Sequence, residues 1–212
     1  YGGDEYGARN DTYRFRDNSW QKVTSLLYPG PRSLYLFERD PANGIGWLFG
    51  GFNDNVVYSD LWKYTNGTWL RMNAPNTPVG CTYPVGAWDP VRNRLVMHCE
   101  LSGLYEFDGA SWKAFADLDK KPIAGRFSRM DFDEKSKRIA YFGGFDDVNY
   151  LRNLWFWDGK EWKESTRDGA PRGRALPAFF YDPNSKNLIV FGGIGRKTTE
   201  DKIQRYGDMF SF

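Results

Sequence analysis

The chain has 212 residues with 29 basic and 27 acidic side chains, a formal charge of +2 and 41% hydrophobic residues. No stretch approaches the roughly 18 consecutive apolar residues of a membrane span, and so balanced a charge advertises neither nucleic acid nor an anionic membrane as a partner. Aromatic side chains make up 18% of the chain beside 23 Gly and 11 Pro, which suits many short strands and tight turns and argues against helical bundles or disorder.

The elements repeat in chain order. A di-glycine follows an apolar run at Gly2-Gly3, Gly50-Gly51, Gly143-Gly144 and Gly192-Gly193, with Cys99-Glu100 in the corresponding place of one unit. These start at positions 2, 50, 99, 143 and 192, a period within the range of repeat architectures. Ahead of the last four lies a predicted first strand closed by Asp, at Phe37–Asp40, Gly86–Asp89, Met130–Asp133 and Phe179–Asp182; Asp starts a turn well because its side chain bonds its own backbone. The predicted second strands are Gly46–Phe49, Arg94–Met97, Arg138–Phe142 and Asn187–Phe191, apolar enough to be buried on both faces.

Third strands with alternating aromatics follow at Thr12–Phe15, Leu61–Tyr64, Leu104–Phe107, Leu154–Trp157 and Met209–Phe212. An aromatic is then followed five residues later by Trp: Phe15 by Trp20, Tyr64 by Trp69, Phe107 by Trp112 and Trp157 by Trp162. Asp17-Asn18, Asn66-Gly67, Asp108-Gly109 and Asp158-Gly159 lie between and accept the positive φ of tight hairpins. Each unit is therefore a four-stranded antiparallel meander, and such a sheet leaves two apolar faces open unless neighbouring sheets cover them.

The order of apolar strand, Gly-Gly, charged loop, Leu-Trp-x-Tyr or its equivalent and then Trp resembles the kelch repeats of β-propellers over essentially the whole chain. The compact hairpin before Trp resembles bacterial secreted members. This resemblance implies an all-β propeller of about five four-stranded blade units, at approximately 1–24, 32–72, 79–115, 122–165 and 172–212, the first and last incomplete. Rings in the family have six or seven blades. We therefore expect 1–212 to be one propeller domain that is part of a longer chain, completed by further blades or by self-association at exposed sheet edges.

In the family, ligands are met by loops at one mouth of the channel and by arginines just before strand one, for which Arg32, Arg126 and Arg174 are the counterparts here, with Cys81 in that place in the remaining unit. Arg suits bidentate recognition of a carboxylate, although each could equally bridge adjacent blades. The loops after Gly-Gly vary most and carry Tyr6, Tyr58, Tyr150 and Tyr206, which either anchor a ligand or pack on their own blade. Asp54, Asp146, Asp147, Glu200 and Asp201 offer carboxylates, but no spacing matches a calcium loop; Asp146 joins the ligand-binding candidates. His98 is the sole histidine, so the copper chemistry known on similar rings, which needs histidine and tyrosine together, lacks its ligands. No metal, cofactor or catalytic residue is assigned.

Cys81 and Cys99 fall near each other across predicted strands one and two of a single unit, as a disulfide or as two buried thiols. No signal peptide is visible at Tyr1, and removal of one fits a chain that does not start with Met; an extracellular or periplasmic place is the expectation. The function expected is a non-catalytic scaffold that binds a protein or glycan through the mouth loops and arginines. The alternative is a carbohydrate-active enzyme of the sialic-acid mutarotase type, which would show an enclosed polar pocket where Arg and carboxylate converge.

Overall fold

The computed structural model describes residues 9–54, 56–100, 102–123, 125–166, 169–196, 198 and 201–212. Among them there is no helix, hence none long and apolar enough to cross a membrane. A hairpin of β1 (Tyr13–Arg16) and β2 (Ser19–Lys22) comes first. Next are β3 (Leu36–Asp40) and β4 (Ile45–Phe49), a short ribbon of β5 (Phe52–Asn53) and β6 (Val56–Val57), then β7 (Leu61–Thr65) and β8 (Thr68–Met72). The sheet order is β3-β4-β7-β8.

The second sheet runs β9 (Val85–Asp89), β10 (Arg94–Cys99), β11 (Gly103–Phe107), β12 (Trp112–Phe115), and the third β13 (Arg129–Asp133), β14 (Arg138–Phe142), β15 (Leu154–Trp157), β16 (Trp162–Glu164), each in sequential antiparallel order. The last holds β17 (Ala178–Asp182) and β18 (Asn187–Phe191), a ribbon of β19 (Ile194–Gly195) with β20 (Gln204–Arg205), and β21 (Met209–Ser211), ordered β17-β18-β21.

Local chemistry sets these turns. Asp40, Asp89, Asp133 and Asp182 each accept the backbone N–H two residues on, from Ala42, Val91, Lys135 and Asn184. The five-residue aromatic spacing becomes direct cross-strand pairing: Phe15 faces Trp20, Tyr64 faces Trp69, Phe107 faces Trp112 and Trp157 faces Trp162. The hairpins split into two kinds. Asp17, Asn18, Asn66 and Gly67 all have positive φ, whereas at Asp108 and Asp158 only the following glycines do. There the Asp carboxylates accept two backbone N–H groups, closing longer loops.

The inner strands β3, β9, β13 and β17 lie side by side in that order, and the sheets fan outward as blades of a β-propeller. Apolar cores fill the spaces between blades. Trp47, Phe49 and Leu61 meet Leu95, Phe107 and Trp112; Val96 and Leu104 meet Ile139, Tyr141 and Trp162; Phe142 and Leu154 meet Phe179 and Leu188. Trp112 and Trp162 thus lean on the preceding blade, Trp112 on Phe49 with ring centroids 5.3 Å apart. Among the described residues the array is open at both ends. Trp20 is 71% exposed where Trp112 is 2%, and Phe191 is 49% exposed where Phe49 is 0%.

One predicted element shifts. Cys81 was expected on strand one, but β9 begins at Val85, after Pro84; proline has no N–H to give a ladder. Cys81 therefore lies in the approach to the strand, where it forms a disulfide with Cys99 at the end of β10.

Candidate functional site

The mouth of the channel is built by the segments entering each inner strand and by the loops after the di-glycines. Arg32 is fully buried. Its Nη1 and Nη2 donate to Asp60 Oδ1 and Oδ2 at 2.5 and 2.9 Å, Nη1 also to Gly50 O, and Nε to Gly30 O. Arg174 repeats this with Asp208, Gly192 O and Arg172 O. Burial alone would raise the Asp60 carboxyl, but hydrogen bonds from Arg32 and Trp62 and the Arg32 charge outweigh it and hold the group below its ordinary range. Hydrogen bonding to Arg174 does the same for Asp208. Tyr58 and Tyr206 lie under these guanidinium groups, 3.8 and 4.6 Å from ring centroid to Cζ. The donor forks of both arginines are thus occupied inside their own blades.

Arg126 is differently placed, and the expected correspondence with Arg32 and Arg174 needs correction. Backbone bridges pair Arg126 with Phe145 as they pair Ser33 with Phe52 and Ala175 with Ile194. Arg126 therefore matches Ser33 and Ala175, and Gly125 stands where the buried arginines stand. A Cβ on Gly125 would lie 3.0 Å from Gly144 Cα, so backbone fills that place. Asn153 likewise takes the position of Asp60 and Asp208. Arg126 instead reaches the mouth, where its Nε lies 3.2 Å from Glu100 Oε1, its Nη2 pairs with Asp147, and its Cζ is 5.8 Å from the Tyr83 ring centroid. Arg126 stands seven positions before the closing Asp133, whereas Arg32 and Arg174 stand eight before Asp40 and Asp182; that count was the available signal.

The remaining candidates are dispersed. Asp146 closes a turn by accepting the N–H groups of Val148 and Asn149. Tyr150 packs on Phe145 with centroids 4.9 Å apart. Asp54 occupies an exposed turn, and Asp201 accepts the Thr198 N–H. Tyr6 and Glu200 lie outside the described residues. Among the described residues no three His, Cys, Asp or Glu side chains gather as metal ligands.

What converges at the mouth is a set that local patterns did not single out. Leu34, Tyr83, Phe127 and Leu176, each six residues before its closing Asp, form an apolar rim. Leu34, Phe127 and Leu176 hold φ between 51° and 62°, a left-handed conformation that bulky residues rarely adopt. It is held partly by the Leu176 N–H, which donates to Phe127 O across two blades. Beneath the rim lies a cavity of about 330 Å³, walled by Tyr35, Phe37 and Glu38 from one blade, Gly86 from the next, and Ser128 and Arg129 from the third.

Two ionisable groups share this cavity. Burial, helped by the charge of Asp131, pushes the Glu38 carboxyl up to about 8, so it carries its proton at neutral pH. Arg129 donates to Ser128 O and, among the described residues, has no carboxylate within ion-pair distance. Asp131, behind this wall, is also raised by burial, and accepts the N–H groups of Phe132 and Tyr181, tying β13 to β17. The cavity can therefore offer a cation, a neutral carboxyl donor and aromatic surface to one small molecule.

The sequence matches no protein-family model and no curated protein. The fold is similar to the solved structure of YjhT, with a TM-score of 0.72 and 14% identity over 99% of this chain and 76% of that one. At that identity the likeness bears on the fold alone, and it agrees with a β-propeller.

Proposed function

We propose that this chain is a kelch-type propeller that binds an acidic sugar at its channel mouth and catalyses opening and reclosure of the sugar ring, as a sialic-acid mutarotase does. The observation that carries the reading is the placement of Arg129 and Glu38 in the lining of one cavity, with aromatic side chains around them. Arg129 would hold the substrate carboxylate, and Tyr35, Phe37 and Tyr83 would cover the apolar face of the ring. Protonated Glu38 would donate to the ring oxygen as the bond from that oxygen to the anomeric carbon breaks. The anomeric hydroxyl gives up its proton to water and the carbonyl turns; as the ring hydroxyl closes on its other face, that hydroxyl returns its proton to Glu38 and water returns one to the carbonyl oxygen, which becomes the new anomeric hydroxyl.

The cavity fits this chemistry better than a broad loop surface, because Arg32, Arg174, Tyr58 and Tyr206 spend their contacts within their blades. The Cys81–Cys99 disulfide supports an oxidising compartment, extracellular or periplasmic, in line with a secreted bacterial protein. NMR exchange between the anomers of N-acetylneuraminic acid tests the proposal. Faster exchange that is lost in Glu38→Gln while the sugar still binds is the expected result. Binding without any exchange would leave a glycan-binding scaffold, and no binding at all would reject both.

A further inference from the structure

The loops after the di-glycines also cover the segment that leads into the next blade. In the first complete blade, a Cβ on Gly80 would lie 2.9 Å from Val57 Cγ1 and 3.0 Å from Tyr58 O, so the loop is seated against that segment. In the third, the carbonyl of Tyr150 abuts Gly173 in the same way. The second blade lacks such a loop. Only three residues separate Cys99 from Gly103, which opens β11, and the onward segment is longer: Gly125 follows Trp112 by 13 positions, where Cys81 follows Trp69 and Arg174 follows Trp162 by 12.

The space left by the short loop is a cavity of about 480 Å³ on the side of the propeller, between the second and third blades. One wall is apolar, with Phe115, Leu118 and Ile123. His98 lies in it where Phe49 and Phe142 lie in their blades, edge-on to Tyr141 with ring centroids 5.5 Å apart. Burial brings its imidazole down to about 4, so it is neutral and behaves as another aromatic wall. Apart from the Glu100 carboxylate, the polar groups are donors. Lys121 lines the cavity and, among the described residues, has no carboxylate within ion-pair distance, while Glu100 is engaged by Arg126. Ser102 Oγ and Trp162 Nε1, on residues of the same wall, are buried without a hydrogen-bond partner among the described residues.

We propose that this lateral cavity is a second binding site, for a small amphipathic carboxylate whose anionic end meets Lys121 and Ser102 and whose apolar body lies against Phe115, Leu118 and Ile123. Its volume falls in the range of small-molecule sites. The site is separate from the channel mouth and does not depend on the activity proposed there.

Titration of the whole chain with 3-phenylpropionate, and with 3-phenylpropan-1-ol as its uncharged counterpart, tests it by nitrogen-15 NMR. Saturable shifts are expected at the amides of Ser102, Gly103, Leu118 to Lys121 and Ile123 and at the Trp162 indole N–H. The alcohol, and the acid with Lys121→Gln, should each bind about tenfold more weakly, about 1.4 kcal/mol. Lys121 is exposed, so that variant folds, and Ile123→Trp provides a second one that fills the cavity and removes the shifts. Equal binding of acid and alcohol, shifts confined to Phe127 to Met130 at the channel mouth, or no saturation would each overturn the proposal.

Discussion

Cys81 and Cys99 are bonded across the same two positions that Arg32 and Gly50 join by a hydrogen bond in the preceding blade. The carboxylate that completes the Arg32 site is missing as well, since Gly103, with φ of +90°, stands where Asp60 does. A covalent link has replaced an ion pair and its carbonyl contact together. For an 18-residue separation, reduction or Cys81→Ser should cost about 3 kcal/mol, a fall in Tm of about 6–12 °C at this chain length. Cys81→Arg with Cys99→Gly should not restore it, because the guanidinium would be buried without an anion. Thermal unfolding with and without reductant measures the loss, and an unchanged Tm would contradict the argument.

The Arg32–Asp60 pair also predicts how the fold responds to acid. The Asp60 carboxyl is lowered in the folded protein, so it contributes stability that is fully present above its unfolded value of 3.8 and is lost as pH falls through the folded one. Asp60→Asn should flatten that part of the acid limb and destabilise the protein at neutral pH. Arg32→Ala should cost about 3–5 kcal/mol by leaving a carboxylate largely buried and unpaired. Arg32→Lys keeps the charge but cannot fork onto both oxygens, so it should recover roughly half or less. Urea unfolding at several pH values separates these outcomes; a pH-independent difference between Asp60→Asn and the parent would count against the pair.

The blades were legible in the sequence because their signals are local. The spacing from Phe107 to Trp112 encodes a hairpin register, and Asp89 encodes its own turn, without reference to the rest of the chain. The mouth is a different case. Residue type alone aligned Arg126 with Arg32 and Arg174, although it stands one residue nearer its closing Asp, and a shift of one turns a side chain from the blade to the channel. Glu38 and Arg129 sit in short strands that hold other charged side chains, and nothing near them in sequence marks them out. They line one cavity because β3 and β13 flank β9 around a common axis, where Gly86 leaves room between them.

Glu38 gives the clearest pH signature of the channel. Its carboxyl is raised from 4.5 to about 8 by burial, so the folded state holds a proton that the unfolded state loses. Stability should therefore decline as pH rises from 4.5 to 8 and level off above that. Glu38→Gln cannot lose a proton, so it should match the parent near pH 4 and exceed it increasingly up to pH 8. If Glu38 is the acid of the proposed reaction, anomer exchange should fall over the upper part of the same interval. Paired unfolding curves across pH test the first statement; a Glu38→Gln protein no more stable than the parent at pH 8 would refute it.

Trp20 and Trp112 occupy equivalent places in their hairpins but not in the energetics of the fold. Trp112 is enclosed by Phe49, Tyr105 and Phe107 at an interface between blades, whereas Trp20 touches Phe15 and is otherwise turned outward. Truncating a buried Trp removes its packing and leaves a cavity, so Trp112→Ala should cost about 3–5 kcal/mol. Trp20→Ala should change stability by about 0.5 kcal/mol or less, as exposed substitutions do. The contrast has a second use. Phe191 is exposed at the other end of the array, at the position where Phe49 receives Trp112, so the two ends present the separate halves of a blade interface. If further blades or another copy complete the ring, Trp20 becomes buried, and its fluorescence should then shift to the blue and Trp20→Ala should become as costly as Trp112→Ala. Chemical unfolding of the 212-residue chain, with tryptophan emission recorded as a function of protein concentration, distinguishes an open array from one closed by self-association.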